Sequence, residues 1–343
     1  VGSRLTWQHS TAPELHDLGG LMTYAGGRDY DRYAQFGADF GTLADHIGRV
    51  ILGKRPEVEL ALTAMLAEGH LLIDDFPGLG KTSLAQALAC SVESTFRRIQ
   101  FTPDILPSDI TGSLVLNESR SEFIFRRGPV FANVVLCDEV NRASPKAQSA
   151  LLEVMEERQV TVDGEAMAVP RPFMVVATQN PVDFAGTYPL PESQLDRFLI
   201  CMRIGYPDTT TERDILKQES AGRSAPTLRH TLLRTHLEEM IQTARGVLVK
   251  DEIYDFVVRI LEHTRVNDSV RLGASPRAGI ALIRAARVRA ASRERHFVAP
   301  EDVETLAVPV LAHRLVLDSA ATFRDLTATE VVQRAVTSVR PTR

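Results

Sequence analysis

Between residues 40 and 68 apolar side chains recur near helical spacing, at Leu43, Ile47 and Val50 and again at Leu60, Leu62 and Leu66, with an interruption around Gly53 and Pro56. The pattern predicts helix, turn, helix. A short apolar run at 71–74 reads as a strand, the Gly/Pro-rich stretch 75–80 as a loop, and 81–91 as a helix. Further strand-sized runs lie at 98–101, 134–137, 173–178 and 199–204, with a helix between 145 and 158. Strands alternating with helices imply an α/β fold, a five-stranded and largely parallel sheet sandwiched by helices.

The flanks read differently. Up to about Gly37 the chain is rich in Gly, Tyr, Asp and His without clear periodicity, which predicts an N-terminal arm over 1–38 that adds little core. After Tyr206 and Pro207 only helical patterns follow, at 211–220, 232–245, 251–266, 276–292, 300–311 and 330–339. The expected organisation is an arm, an α/β domain over 39–207 and a smaller all-α domain over 208–343. Alternating stretches near 114–116 and 123–125 predict an inserted hairpin. A second is expected around Val160, where Asp163-Gly164 supplies a tight turn.

Composition narrows the class. At 343 residues, 44% hydrophobic and 24% charged, the chain has material for two ordinary globular cores. No apolar run approaches the roughly 18 residues needed to cross a bilayer. The first ten residues lack the pattern of a secretory signal, so the cytoplasm is the expected compartment. Cys90, Cys137 and Cys201 are odd in number and set in apolar sequence, as expected of small buried hydrophobes rather than disulfides or metal ligands. A net charge of -5 argues against broad attraction to nucleic acid.

The candidate chemistry begins at Asp75-Phe-Pro-Gly-Leu-Gly-Lys-Thr82, which fits the phosphate-loop pattern at every defining position except the first, where Asp75 replaces Gly. Gly78 and Gly80 permit a backbone that aims N–H groups inward, and the helix starting near Lys81 adds its positive end. Pro77, Gly78, Leu79, Gly80, Lys81, Thr82 and Ser83 form the expected cofactor-binding segment. Lys81 is placed to reach the β- and γ-phosphates and the Thr82 hydroxyl to ligate magnesium. Asp75 is compatible with an anion site only if its side chain turns away. Downstream, the apolar strand ending in Asp138 and Glu139 puts two carboxylates at the carboxyl edge of a parallel sheet. Asp138 is the candidate magnesium partner, through water, and Glu139 the candidate base that polarises the attacking water.

Together these residues resemble the AAA+ superfamily. The run from Cys137 through Asn141, Arg142 and Gln148 to Gly164 is similar to the MoxR family, as are Ala177-Thr-Gln-Asn-Pro181, Leu190-Pro-Glu-Ser-Gln-Leu-Asp-Arg-Phe198 and Gly273-Ala-Ser-Pro-Arg-Ala278. The resemblance extends from about Phe40 to the C-terminus. It implies a P-loop AAA+ module followed by a helical lid. Asn180 would be the sensor 1 residue and Arg197 an arginine finger reaching a neighbouring subunit's nucleotide. Arg277 would be a sensor 2 residue coupling the lid to the γ-phosphate, and Arg142 a weaker candidate for a second intersubunit cation. The remaining arginines of that lid helix, Arg284, Arg287, Arg289 and Arg293, read as a solvated or intersubunit face. Val50, Ile51, Leu52 and Gly53 look like the adenine-packing segment, and the two hairpins like pore-facing insertions.

The function expected from this resemblance is Mg2+-dependent ATP hydrolysis in a ring homo-oligomer, a hexamer, coupled to chaperone-like remodelling or activation of client proteins with a von Willebrand A domain partner. The alternatives are a nucleic-acid motor or loader, against which the acidic balance weighs, and an ATP-dependent binding switch.

Overall fold

The computed structural model describes residues 19–117, 122–181, 187–220 and 231–339. Helix α1 (Gly19–Gly48) opens the described chain and is followed by α2 (Arg55–Leu66). Strand β1 (Leu71–Asp74) leads through the 75–80 loop into α3 (Lys81–Ser91), and β2 (Phe96–Gln100) follows. A short helix α4 (Pro107–Thr111) precedes the hairpin β3 (Gly112–Asn117) and β4 (Glu122–Arg127). The chain then returns to the sheet as β5 (Val134–Asp138) and leaves it along α5 (Pro145–Glu157). A second hairpin, β6 (Gln159–Val162) and β7 (Glu165–Ala168), comes before β8 (Met174–Gln179), the short α6 (Glu192–Leu195) and β9 (Ile200–Met202).

The main sheet has the order β2-β5-β8-β1-β9, and every neighbouring pair is parallel. All five strands therefore end on one edge, where Asp74 lies opposite Gln179 and Gln100 opposite Asp138. Side chains alternate between the faces. Leu71, Ile73, Leu136 and Val176 join the core under α1, α2 and α3, while Leu72, Val135, Cys137 and Val175 join the core under α5. Both faces are covered, which is why these strands read as continuous apolar runs.

The C-terminal region comprises α7 (Thr209–Ser220), α8 (Arg234–Arg245), α9 (Asp251–Arg265), α10 (Pro276–Ser292), α11 (Pro300–Leu311), α12 (Ser319–Thr322) and α13 (Ala328–Val339). Its start and stop signals are local. Ser275 accepts a hydrogen bond from the Ala278 N–H and Pro276 occupies the first turn of α10. The lid is not helical throughout, however: β10 (Val270–Leu272) pairs antiparallel with β11 (Val316–Leu317). Segments this short carry no readable period.

The N-terminal reading needs a larger correction. Helix α1 begins at Gly19, well inside the expected arm, and Tyr33, Phe36, Phe40, Leu43 and Ile47 form one buried stripe along it. Tyr33 and Phe36 are each only 2% exposed and belong to the core shared by the sheet, α2 and the lid. Spacings of three and four residues account for the stripe, although intervening Gly and Asp residues dilute it in the sequence. Burial of each such side chain contributes about 1.5–3 kcal/mol. The part of the expected arm over 1–18 lies outside the described residues.

Both expected hairpins are present. In the β3–β4 hairpin, Leu114, Val115, Leu116, Phe123 and Ile124 are all exposed, so the hairpin projects apolar surface from the sheet. Cys137 is fully buried, whereas Cys90 and Cys201 are half-buried, and all three are free thiols. No helix among the described residues is long and apolar enough to cross a membrane.

Candidate functional site

The loop between β1 and α3 presents backbone donors. Gly78 and Gly80 have φ values of +85° and +83°, and Gly80 caps α3 without a side-chain hydrogen bond. The first N–H groups of α3 thus retain their capacity for an anion. A Cβ added at Gly78 would meet nothing within 4 Å, so backbone conformation rather than space selects glycine there. Pro77 and Ser83 are exposed, Leu79 and Thr82 half-buried, and Lys81 buried. Ile51 is buried, with its Cδ1 3.8 Å from the position a Gly80 Cβ would take, which sets the 50–53 turn against the loop. Val50 is half-buried and packs on the adjoining core.

Asp75 turns out of the loop. Its Oδ2 accepts hydrogen bonds from the N–H groups of Ile204 (2.7 Å) and Gly205 (2.6 Å), while Oδ1 accepts from Phe76 (2.9 Å). The residue is 3% exposed. The substitution that departs from the loop pattern therefore leaves the cradle clear and ties it to the chain emerging from β9 toward the lid. The vacated side is lined by the Asp75 carbonyl, which accepts from Lys81 Nζ at 2.6 Å. Burial lowers the Lys81 ammonium pKa, opposed by the carboxylates of Asp138, Asp75, Glu139 and Asp74.

Asp138 and Glu139 emerge beside this loop. Asp138 Oδ1 accepts from the Thr178 hydroxyl at 2.7 Å, and the same hydroxyl accepts from the Glu139 N–H at 2.9 Å. Arg98 on β2 donates to Asp138 Oδ2 from Nε (3.1 Å) and Nη2 (2.7 Å). Glu139 is left-handed (φ 58°, ψ 50°), which turns its side chain away from the direction of the strand, at a cost of about 1–3 kcal/mol. Its Oε2 accepts from Gln100 Nε2 (3.2 Å) and Arg142 Nη1 (2.8 Å). Arg142 is thus held within its own chain. Thr178, Arg98 and Gln100 escaped the sequence reading. The one available signal was the polar alternation of Arg98 and Gln100 on a strand adjacent to the acidic one.

Asn180 follows β8 at the same edge, next to the strand that feeds the loop. The Asp75 N–H donates to Gln179 O at 3.2 Å, and the Asn180 carbonyl accepts from Asn141 Nδ2 at 3.3 Å. Lys81, Thr82, Asp138, Glu139 and Asn180 are therefore brought to one edge of the sheet by three neighbouring strands.

Arg197 and Arg277 are not there. Both contact Glu156, near the C-terminal end of α5: Arg197 at 2.8 Å on Oε2 and Arg277 at 2.5 Å on Oε1. A cleft lined by these residues also contains Gly69 and His70, which precede β1. The pair thus sits at the amino edge of the sheet, whereas the phosphate loop follows the carboxyl end of β1. This placement does not provide the coupling expected of Arg277 to the nucleotide of its own chain. Of the other lid arginines, Arg293 is exposed, whereas Arg284, Arg287 and Arg289 are half-buried. Arg284 donates to the carbonyls of Ala67 and Glu68, Arg289 faces Asp302 at 3.7 Å and Arg293 faces Glu59 at 3.9 Å.

The donors at the carboxyl edge suit a nucleotide and a hard cation. The start of α3 and the Lys81 ammonium match phosphate. Thr82 and Asp138 supply oxygen donors of the kind magnesium takes. A carboxylate offers about four acceptor positions, and Thr178 and Arg98 take three bonds at Asp138.

Comparison with known proteins agrees with this geometry. Residues 70–200 match the family model for the ATPase family associated with various cellular activities (AAA), and residues 262–335 match the AAA lid domain. The chain is 46% identical over 300 residues to the uncharacterized protein YeaC of Bacillus subtilis, covering 88% of this chain and 94% of that protein. It is 41% identical over 302 residues to Chaperone MoxR1 of Mycobacterium tuberculosis, covering 85% and 80% respectively. A crystal structure from Cytophaga hutchinsonii, of a protein provisionally assigned as an ATPase, superposes with a TM-score of 0.86 at 31% identity, covering 94% of this chain and all of that one. A phosphate loop and acidic strand end on a five-stranded parallel sheet, a helical lid, and these similarities over most of the chain place it in the MoxR family of AAA+ ATPases.

Proposed function

We propose that this chain hydrolyses ATP with magnesium, and that it does so as a ring whose subunits complete one another's sites. The supporting observation is the convergence of the Lys81 loop with Asp138, Glu139 and Asn180 on one sheet edge, with Thr178 linking Asp138 to Glu139. The backbone N–H groups of residues 78–83 and the Lys81 ammonium hold the phosphates, and Thr82 and Asp138 hold the cation. Magnesium, when bound, offsets charge on the phosphate oxygens. Glu139 polarises the attacking water and Asn180 helps orient it, with Gln100 and Arg142 steadying the glutamate. Ile51 and Val50 pack against the adenine.

Arg197 and Arg277 serve the neighbouring subunit's nucleotide. Their position at the amino edge, on a shared carboxylate, supports this assignment for both arginines. A planar guanidinium there offsets charge developing on the transferred phosphoryl group. The work coupled to hydrolysis is chaperone-like remodelling of a client protein together with a von Willebrand A domain partner. The name of the mycobacterial relative supports the chaperone part of this reading.

Turnover of purified variants tests the proposal. Lys81→Ala should lose nucleotide binding, and Glu139→Gln should bind ATP while hydrolysing it poorly. Mixing Arg197→Ala with Lys81→Ala chains should restore part of the activity; no rescue at any ratio rejects action across subunits. Affinity capture with Glu139→Gln in ATP should recover a von Willebrand A domain protein, and recovery of DNA instead rejects the client assignment.

A further inference from the structure

A second cationic site lies away from the phosphate loop. Next to the Arg197–Arg277 cleft is a cavity of about 490 Å³, lined by Arg158, Arg245, Arg284 and Arg287 around Glu68. Four guanidinium groups against one carboxylate leave three positive charges. The arginines come from separate parts of the fold: Arg158 ends α5, Arg245 ends α8, and Arg284 and Arg287 stand one turn apart on α10. Leu66, Ala67, Ala244 and Val288 provide the apolar wall.

Part of this charge has a structural role. Arg158 donates to the Glu68 side chain at 3.2 Å and to its carbonyl at 3.0 Å, Arg284 donates to the Ala67 and Glu68 carbonyls, and Arg245 pairs with Glu68. These contacts satisfy carbonyls just beyond α2, where the negative end of the helix favours cations. They do not use all the donors, since each guanidinium carries five N–H groups. Arg287 makes no hydrogen bond or ion pair among the described residues, and its Nε is buried without a partner. Burial lowers the pKa of both Arg158 and Arg284, and Arg158 and Arg245 add repulsion at Arg284.

We propose that this cavity binds a small, multiply charged phosphorylated solute, with Arg287 as a principal contact and Arg245 and Arg284 completing the anion site. Converging arginines recognise phosphate oxygens through paired, charge-assisted hydrogen bonds. The concave shape and apolar wall favour a small molecule, and the volume falls within the range of small-molecule pockets. Glu68 and Arg158 belong to the nucleotide domain and the other three arginines to the lid, so the anion bridges the two.

Inorganic pyrophosphate is the probe, with binding measured calorimetrically on the full chain. The phosphate loop also accepts pyrophosphate, so Lys81→Ala is the background in which Arg287→Gln is tested, with the parent alongside. Saturable binding should survive Lys81→Ala and weaken about tenfold when Arg287→Gln is added to it, as expected for loss of one charge-assisted contact. Arg287 holds no structural bond, so its substitution leaves the α2 cap intact. Arg203→Gln, which alters a cation bonded to Asp74 at the other edge, should bind like the parent. Absence of saturable binding to Lys81→Ala, or undiminished binding when Arg287→Gln is added to Lys81→Ala, overturns the proposal. Neither outcome bears on ATP hydrolysis.

Discussion

Replacing Asp75 by the glycine that phosphate loops ordinarily carry should weaken this protein. The carboxylate accepts three backbone hydrogen bonds, from Phe76, Ile204 and Gly205. In Asp75→Gly the Phe76 N–H regains water, because that residue is 41% exposed. The Ile204 N–H does not, as Ile204 is 3% exposed, and the half-buried Gly205 regains water only in part. An orphaned buried donor costs about 1–3 kcal/mol. One full and one partial penalty therefore give a loss of about 2–4 kcal/mol. Asp75 does not have a positive φ, so glycine offers no compensating relief of backbone strain. Asp75→Asn, with its amide oxygen in the Oδ2 position, keeps the acceptor for Ile204 and Gly205 but turns its NH2 toward the exposed Phe76 N–H, and should lose about 1–2 kcal/mol, less than the glycine.

Urea unfolding of the three proteins tests the order Asp, Asn, Gly, and amide hydrogen exchange tests the cause. Protection should fall first at Ile204 and Gly205 in the glycine-substituted chain, ahead of any loss in the sheet. Equal stability of Asp75→Gly and the parent, or unchanged protection at those two amides, would refute the assignment of Asp75 as a tether.

The remaining predictions concern the core, pH and the arginine pair. Phe36→Ala should destabilise the chain by about 3–5 kcal/mol in urea unfolding, because α1 is part of the core; a loss below about 1 kcal/mol would return the segment to the status of an arm. His70 is buried, its Nδ1 accepting from the Val175 N–H and its Nε2 facing the Met155 carbonyl, and burial depresses its pKa to about 4. The folded chain thus binds fewer protons than the unfolded one, whose histidine titrates near 6.5. Its stabilising contribution is complete above about pH 6.5 and falls by about 3 kcal/mol as pH drops to about 4. His313, depressed by burial to about 3, extends the same trend further down. Unfolding free energy measured from pH 7.5 to 4 should fall less steeply in His70→Gln, and an identical slope would contradict this reading. Glu156→Gln should change stability by less than about 1 kcal/mol, because both ion pairs are part-exposed, yet alter ATP turnover of the assembled protein; unchanged turnover would detach Glu156 from the two arginines.

Much of the nucleotide domain was legible because its signals are local. The helices at 81–91, 276–292 and 300–311 have the expected bounds, and Gly80, Ser275 with Pro276, and Pro300 mark their starts. The phosphate loop was readable because its glycines answer a backbone requirement, φ values near +85°, that few other residues meet. What escaped depends on strand order. Only the adjacency of β2 to β5 brings Arg98 to Asp138 and Gln100 to Glu139, and only β8 beside β5 places Thr178 between the two acids. Arg277 was placed by motif position alone, which says where a lid helix starts but not which edge of the sheet that start meets. The stripe on α1 was missed for a different reason: Gly and Asp between the aromatics mask a periodicity that burial makes plain.

The same contacts bear on how the lid can move. Its apolar core is continuous with that of α1, α2 and α3, with Phe36, Phe40, Leu282 and Leu306 in one cluster. Arg277 and Arg284, two turns apart on α10, hold Glu156 and the carbonyls beyond α2 at the amino edge, while Asp75 secures the linker at the carboxyl edge. Swinging the lid as a hinge over its own nucleotide would uncover several large side chains, at about 1.5–3 kcal/mol for each one fully exposed, and would break polar contacts at both edges. A nucleotide domain and lid that move together cost far less. In such an arrangement, Asp75 bonds the phosphate loop to the linker, and α10 meets the edge where Arg197 and Arg277 share Glu156. These contacts join the phosphate loop to the amino edge through the fold, and the proposed action of Arg197 and Arg277 across subunits depends on that connection.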